Sequence, residues 1–158
     1  MPKLDFWFDY ASTYSYLSVM RIEDLARASG VAITWRPFLL GPIFNAQGWN
    51  TSPFNIYPAK GRYMVRDMER ICAARGLPLK WPAELPARSI LAARVALVGE
   101  TAAWIAPYTR AVFAAEFGRG ADIGVRATLE AALREADVDP APVFEAAAGD
   151  VIKAKLRQ

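Results

Sequence analysis

Two strand-like runs in the first 38 residues, and none after them, limit this chain more than any other feature. KLDFWF (3–8) is a short apolar run of the kind that forms a buried strand. VAITWRPF (31–38) is β-branched and aromatic, and it closes at Pro37. Between them, residues 14–29 carry Leu17, Met20, Ile22 and Leu25 at helical spacing, and Gly30 is the stop. Strand, helix and strand in so short a span predict a βαβ unit. Its strands should be parallel, joined by a right-handed crossover.

The remaining patterns are helical. Residues 39–58 are rich in Gly, Pro and Asn and read as a short helix followed by a loop. Over 59–75, Met64, Met68, Ile71, Cys72 and Arg75 share one helix face. Lys60, Arg62, Arg66, Glu69 and Arg70 share the other. A proline-punctuated link, LKWPAELP (79–86), leads to helical stretches at 88–99, 102–117 and 122–136. Pro107 should start or kink the second of these. After DVDPAP the spacing predicts two short helices, with Gly149 stopping the first and Asp150 capping the second. Two strands make a poor sheet, so further strands are expected from another chain or from sequence after Gln158.

Composition narrows the function classes. With 54% hydrophobic and 22% charged residues in 158, the chain should build one packed domain. Its 19 Lys and Arg are scattered among 16 acids, so there is no basic stripe for a nucleic acid. Histidine is absent, which excludes Ser-His-Asp and Cys-His catalysis and His-ligated metals; no metal site is expected. A single cysteine, Cys72, excludes an internal disulfide and reads as core. No apolar run approaches the roughly 20 residues of a membrane span. The N-terminus enters a strand directly, with no signal-peptide pattern. The expectation is a soluble, cytoplasmic protein. Trp7, Trp35 and Trp104 read as core, whereas Trp49 and Trp81 fall in loops and could line an aromatic pocket.

The chemistry concentrates at FDYASTYSYL (8–17), where the first strand meets the first helix. A helix start offers unpaired N–H groups and the positive end of the macrodipole, and so favours an anion. A hydroxyl there suits a plain N-cap, filled by Ser12 or Ser15. It also suits a donor to a bound thiolate, whose pKa would fall below the roughly 8.5 of a free thiol. The residues alone support both readings.

Taken in order, DFWFDYASTYSYL, RPFLLGPIF, YPAKGRYMVRDMER and LAARVAL resemble the 2-hydroxychromene-2-carboxylate isomerase family. Its relatives are the kappa-class glutathione transferases and, more distantly, the DsbA-like proteins. The resemblance implies an α/β, thioredoxin-like fold split by a large helical insertion. Residues 1–38 would form the N-terminal βαβ half, 39–150 the insertion, and 151–158 the start of a return segment. The chain should then lack the family's C-terminal strands and their glutathione-gripping residues.

The resemblance also implies chemistry. The register of a thioredoxin C-x-x-C reads Ser12-Thr13-Tyr14-Ser15, which excludes dithiol redox work. Thr13 stands where many relatives have proline. Ser12 matches the serine that holds the sulfur of glutathione as a reactive anion, and Ser15 stays structural. Lys60 matches a lysine that contacts glutathione, and Asn50 falls where the family supplies an asparagine, with Asn45 and Asn55 as weaker candidates. In LPARS (85–89), Arg88 replaces a family asparagine, and Ser89 reads as a helix cap. The implied function is a glutathione-dependent cis–trans isomerase of 2-hydroxychromene-2-carboxylate-like aromatic acids, acting as a homodimer. A kappa-like transferase and a shortened, non-catalytic thioredoxin-like module are the alternatives.

Overall fold

Alternation along KLDFWF decides which way the first strand faces. The computed structural model describes residues 1–157. In β1 (Lys3–Phe8), Phe8 is buried and Phe6 half-buried, while Trp7 between them is 61% exposed. Successive strand side chains point to opposite faces, and the helices cover the Phe8 side, where Phe113 packs on its ring. Trp7 is therefore a surface residue, set edge-on to Phe38 at 6.1 Å. Its apolar run had suggested a place in the core.

β2 (Ala32–Pro37) pairs parallel with β1, from Lys3 opposite Ala32 to Phe8 opposite Pro37. These two strands form the sheet of the described residues. The crossover is α1 (Thr13–Ser29), which ends at Gly30 with φ 63°, a left-handed conformation that glycine adopts without strain. The helices then follow without interruption by strands. They are α2 (Leu40–Ala46), α3 (Pro53–Ile56), α4 (Pro58–Arg75), α5 (Ile90–Val98) and α6 (Ile105–Phe113). A π-helical turn over Ala114–Gly118 continues α6, and α7 (Arg126–Glu135), α8 (Pro140–Ala148) and α9 (Asp150–Lys155) complete the chain.

Aromatic rings join the βαβ unit to the helical body. Tyr16 of α1 stacks on Phe113 at 6.5 Å, and Phe113 stacks on Phe117 at 6.3 Å. Tyr10, just after β1, donates to or accepts from Thr109 Oγ1 at 3.0 Å in the same core. α4 buries Met64, Met68 and Cys72, four residues apart, against this cluster. Pro107 lies in the first turn of α6, where its missing N–H costs nothing. Several boundaries differ from the sequence reading; α5 and α6, for example, start at Ile90 and Ile105 instead of 88 and 102. Residues 53–56 are helical rather than loop. α7 starts at Arg126, because Asp122 accepts the Gly124 N–H at 2.7 Å and holds a turn before it. α9 is preceded by Gly149 in an extended conformation, which makes Asp150 its first residue instead of its cap. No helix among the described residues is long and apolar enough to cross a membrane.

Candidate functional site

The turn from β1 into α1 is built around a buried carboxylate. Asp9 is 3% exposed, and its Oδ1 accepts the N–H of Ala11 at 2.9 Å and the hydroxyl of Ser89 at 3.0 Å. Its Oδ2 accepts the N–H of Leu40, the first residue of α2, at 2.7 Å. One side chain thus ties together the end of β1, the start of α2 and the start of α5. It does for α2 what Leu39, which has no capping side chain, does not. Burial raises the pKa of Asp9 above the ordinary carboxylate value, and the hydrogen bonds from Leu40, Ala11 and Ser89 oppose that rise.

Ser12 is the N-cap of α1: its backbone is extended, and its Oγ accepts the N–H of Ser15 at 3.3 Å. Its own N–H donates to Asp9 O at 2.9 Å, which fixes the turn. The hydroxyl proton of Ser12 finds no acceptor among the described residues, so a cap that already accepts can still donate. Next to it, the buried Thr13 Oγ1 has no hydrogen-bond partner. Ser15 Oγ accepts the Asp9 N–H at 3.4 Å and is structural.

Ser12 and Thr13 both line a cavity of about 940 Å³ between this turn, α2–α3, the first turns of α4 and the 85–90 segment. That volume sits at the upper end of small-molecule sites, about 300–1,000 Å³, and has room for two reactants. The walls are chiefly apolar, with Leu39, Phe44, Phe54, Met64, Val65 and Leu85 among them. Asn50 lines the cavity, as do Asn45 and Asn55. The Asn55 amide is engaged, donating to Thr51 Oγ1 at 3.0 Å.

Lys60 lies outside the lining; its ammonium sits 5.5 Å from the centre of the exposed Tyr57 ring. Pro58, Gly61, Arg62, Met64 and Val65 of α4 face the cavity, and Lys60, although one turn before Met64, turns its ammonium over Tyr57 instead. Arg88 does reach the lining, with Glu84 and Asp122 each 3.5 Å from its guanidinium. Ser89 is buried and spends its hydroxyl on Asp9, not on its own helix. Trp49 packs on Phe44 and Tyr57, and Trp81 on Phe117. Neither lines the cavity.

Two residues of the lining, Asp9 and Arg62, and one buried acid outside it escaped the sequence reading. Asp9 left a trace, an acid two residues before Ala11 at a strand end, where Asx turns form. Arg62 fell among the charged residues on the face of α4 opposite Met64, with no role given to it. Glu116, fully buried in the π-helical turn, has no partner for either carboxyl oxygen. Its pKa is pushed up to about 9, first by burial and then by the charges of Asp9 and Asp122. π-helical turns recur at functional sites, but Glu116 lies outside the cavity lining.

Comparison with known proteins agrees with this architecture. The model of the DSBA-like thioredoxin domain matches residues 3–158. A 2-hydroxychromene-2-carboxylate isomerase of Sphingobium xenophagum is 39% identical over 82 residues, which span 51% of this chain and 41% of that protein. Glutathione S-transferase kappa 1 of Caenorhabditis elegans is 32% identical over 83 residues, 52% of this chain and 36% of its own length. The chain therefore covers less than half of either relative. A solved 2-hydroxychromene-2-carboxylate isomerase superposes with a TM-score of 0.85 at 24% identity, over 98% of this chain and 75% of that one, and so shares the fold. A βαβ unit with a C-x-x-C register turned to hydroxyls, a helical body behind it and a family match over nearly its whole length place the chain in one family: it belongs to the DSBA-like thioredoxin domain proteins.

Proposed function

We propose that this protein is a glutathione-dependent isomerase of aromatic acids resembling 2-hydroxychromene-2-carboxylate. The observation that carries the reading is the start of α1. There, a free hydroxyl proton on Ser12 and an unpartnered, buried Thr13 hydroxyl meet a helix N-terminus inside a roomy apolar cavity. An anionic sulfur fits this donor set, which lacks any acid within the first turn of the helix. Ser12, Thr13 and the start of α1 would hold the sulfur of glutathione, which would supply a thiolate nucleophile for reversible addition to a conjugated acid.

The chain's own part is to keep the sulfur ionised and to align the two reactants. Ser12 donates to the sulfur, and Asn50 offers an amide to the peptide. Asp9 acts one step back: it holds the turn that aims Ser12 and links it to the α2 and α5 walls. Lys60 would meet only a part of the ligand that extends past Tyr57.

A second reading, a kappa-like glutathione transferase, draws on the Caenorhabditis elegans relative and uses the same serine. Assays with glutathione present separate the two. Interconversion of a hydroxychromene carboxylate, lost without glutathione, is the expected result. Conjugation of a chloronitrobenzene without isomerisation would favour the transferase. Failure to bind glutathione at millimolar concentration would leave a non-catalytic thioredoxin-like module.

A further inference from the structure

Three charged side chains line the cavity, Asp9, Arg62 and Arg88, and they are not equivalent. Asp9 is already satisfied by two N–H groups and a hydroxyl. Arg88 is flanked by two carboxylates, Glu84 and Asp122, each at 3.5 Å, which would repel an incoming anion. Its stem is also hemmed in by Gly124, where a Cβ would lie 3.2 Å from Arg88 Cβ. Arg62 has no carboxylate within ion-pairing distance among the described residues.

We infer that Arg62 is the residue that selects an acid as the second substrate, by pairing with its carboxylate at the α4 wall of the cavity. The inference rests on the reading of this cavity as a two-reactant site. A guanidinium presents a planar fork that matches a carboxylate through two parallel N–H···O bonds, which an ammonium cannot do. The walls are otherwise chiefly apolar, so the group carrying that carboxylate is an aromatic or other hydrophobic body. α4 is tied to the start of α1. Tyr14, in the first turn of α1, donates to Asp67 Oδ2 at 2.8 Å, and Arg62 lies five residues, or about 7.5 Å of helix, before Asp67. Lys60, from the same turn, lies outside the lining with its ammonium over Tyr57 and serves as the control.

Equilibrium binding of 2-naphthoate and of its neutral amide tests this without any catalytic step. Wild type and the Lys60→Gln variant are expected to favour the acid over the amide by about tenfold, the worth of one charge-assisted pair. Arg62→Gln should reduce that preference to near unity, and Arg62→Lys should restore only part of it. Arg62 is exposed on its helix, so the circular dichroism and melting temperature of the variants should match wild type. An acid preference that survives Arg62→Gln, or one that disappears with Arg88→Gln instead, overturns the assignment, as does a wild type with no preference. A parallel glutathione titration keeps the two proposals apart. Absent glutathione binding with an Arg62-dependent acid preference removes the thiolate chemistry and supports this inference. Intact glutathione binding with no acid preference removes this inference alone.

Discussion

Ser89 Oγ donates a 3.0 Å hydrogen bond to Asp9 Oδ1 across a sequence separation of 80 residues. Both groups are buried. That bond locks the start of α5 to the end of β1 and so fixes two walls of the cavity relative to Ser12. Ser89→Ala removes one of the three donors to a desolvated carboxylate. The expected loss is about 1–3 kcal/mol of folding stability, read as a lower midpoint in urea unfolding. A midpoint unchanged from wild type would mean that Asp9 has no need of the hydroxyl.

Glu116 gives the fold a pH dependence of definite sign. Its carboxyl titrates from an ordinary 4.5 in the unfolded chain to about 9 in the folded one, chiefly through burial. Across that window the native state holds a proton that the unfolded state has lost. Its contribution is complete below about pH 4.5 and is lost progressively as pH rises towards 9. Asp9, also raised by burial, acts in the same direction. The slope from one such group is at most about 1.4 kcal/mol per pH unit. Glu116→Gln keeps a neutral polar group of similar shape and removes the titration. Its melting temperature should therefore gain on wild type steadily between about pH 5 and 9, a comparison that differential scanning calorimetry provides. Parallel curves would show that Glu116 is ionised in the fold.

Gly61 is required by the contact between α3 and α4. A Cβ at this position would lie 2.4 Å from the carbonyl oxygen of Phe54. Alanine is the better helix former by about 1 kcal/mol. The clash is with backbone, which cannot rotate away, and overpacking of this kind costs about 1–3 kcal/mol. The clash should win, so Gly61→Ala is expected to lower the thermal midpoint. Because Phe54 and Gly61 both line the cavity, it should also weaken ligand binding. An equally stable alanine variant would show that α3 yields freely.

Much of this was legible in the sequence, for physical reasons that differ from residue to residue. The βαβ unit was readable because β1, α1 and β2 each carry an uninterrupted local pattern, with Gly30 as the stop. The cap role of Ser12 was readable because capping is local. Trp7 was misplaced because an apolar run gives no sign of which face of a thin sheet stays uncovered. Ser89 read as an ordinary cap because its true partner lies 80 residues away. Arg62 was not singled out because it shares its face of α4 with Arg66, Glu69 and Arg70, opposite Met64, Met68 and Cys72. Only the neighbouring α2 and α3 turn part of that face into a wall. Glu116 sits in an apolar stretch, AVFAAEF, whose π-helical turn no spacing rule foretells.

Central to the proposed function is the binding of a sulfur anion at the start of α1. The direct measurement is the ionisation of the glutathione thiol in the presence of saturating protein, followed by the ultraviolet absorbance of the thiolate as pH is raised. In wild type the thiol pKa should fall clearly below the roughly 8.5 of a free thiol. In Ser12→Ala, with folding verified, it should climb back by about one pH unit, the equivalent of one hydrogen bond to a charged group. An unshifted titration in wild type, or the same lowered value in both proteins, would contradict the account.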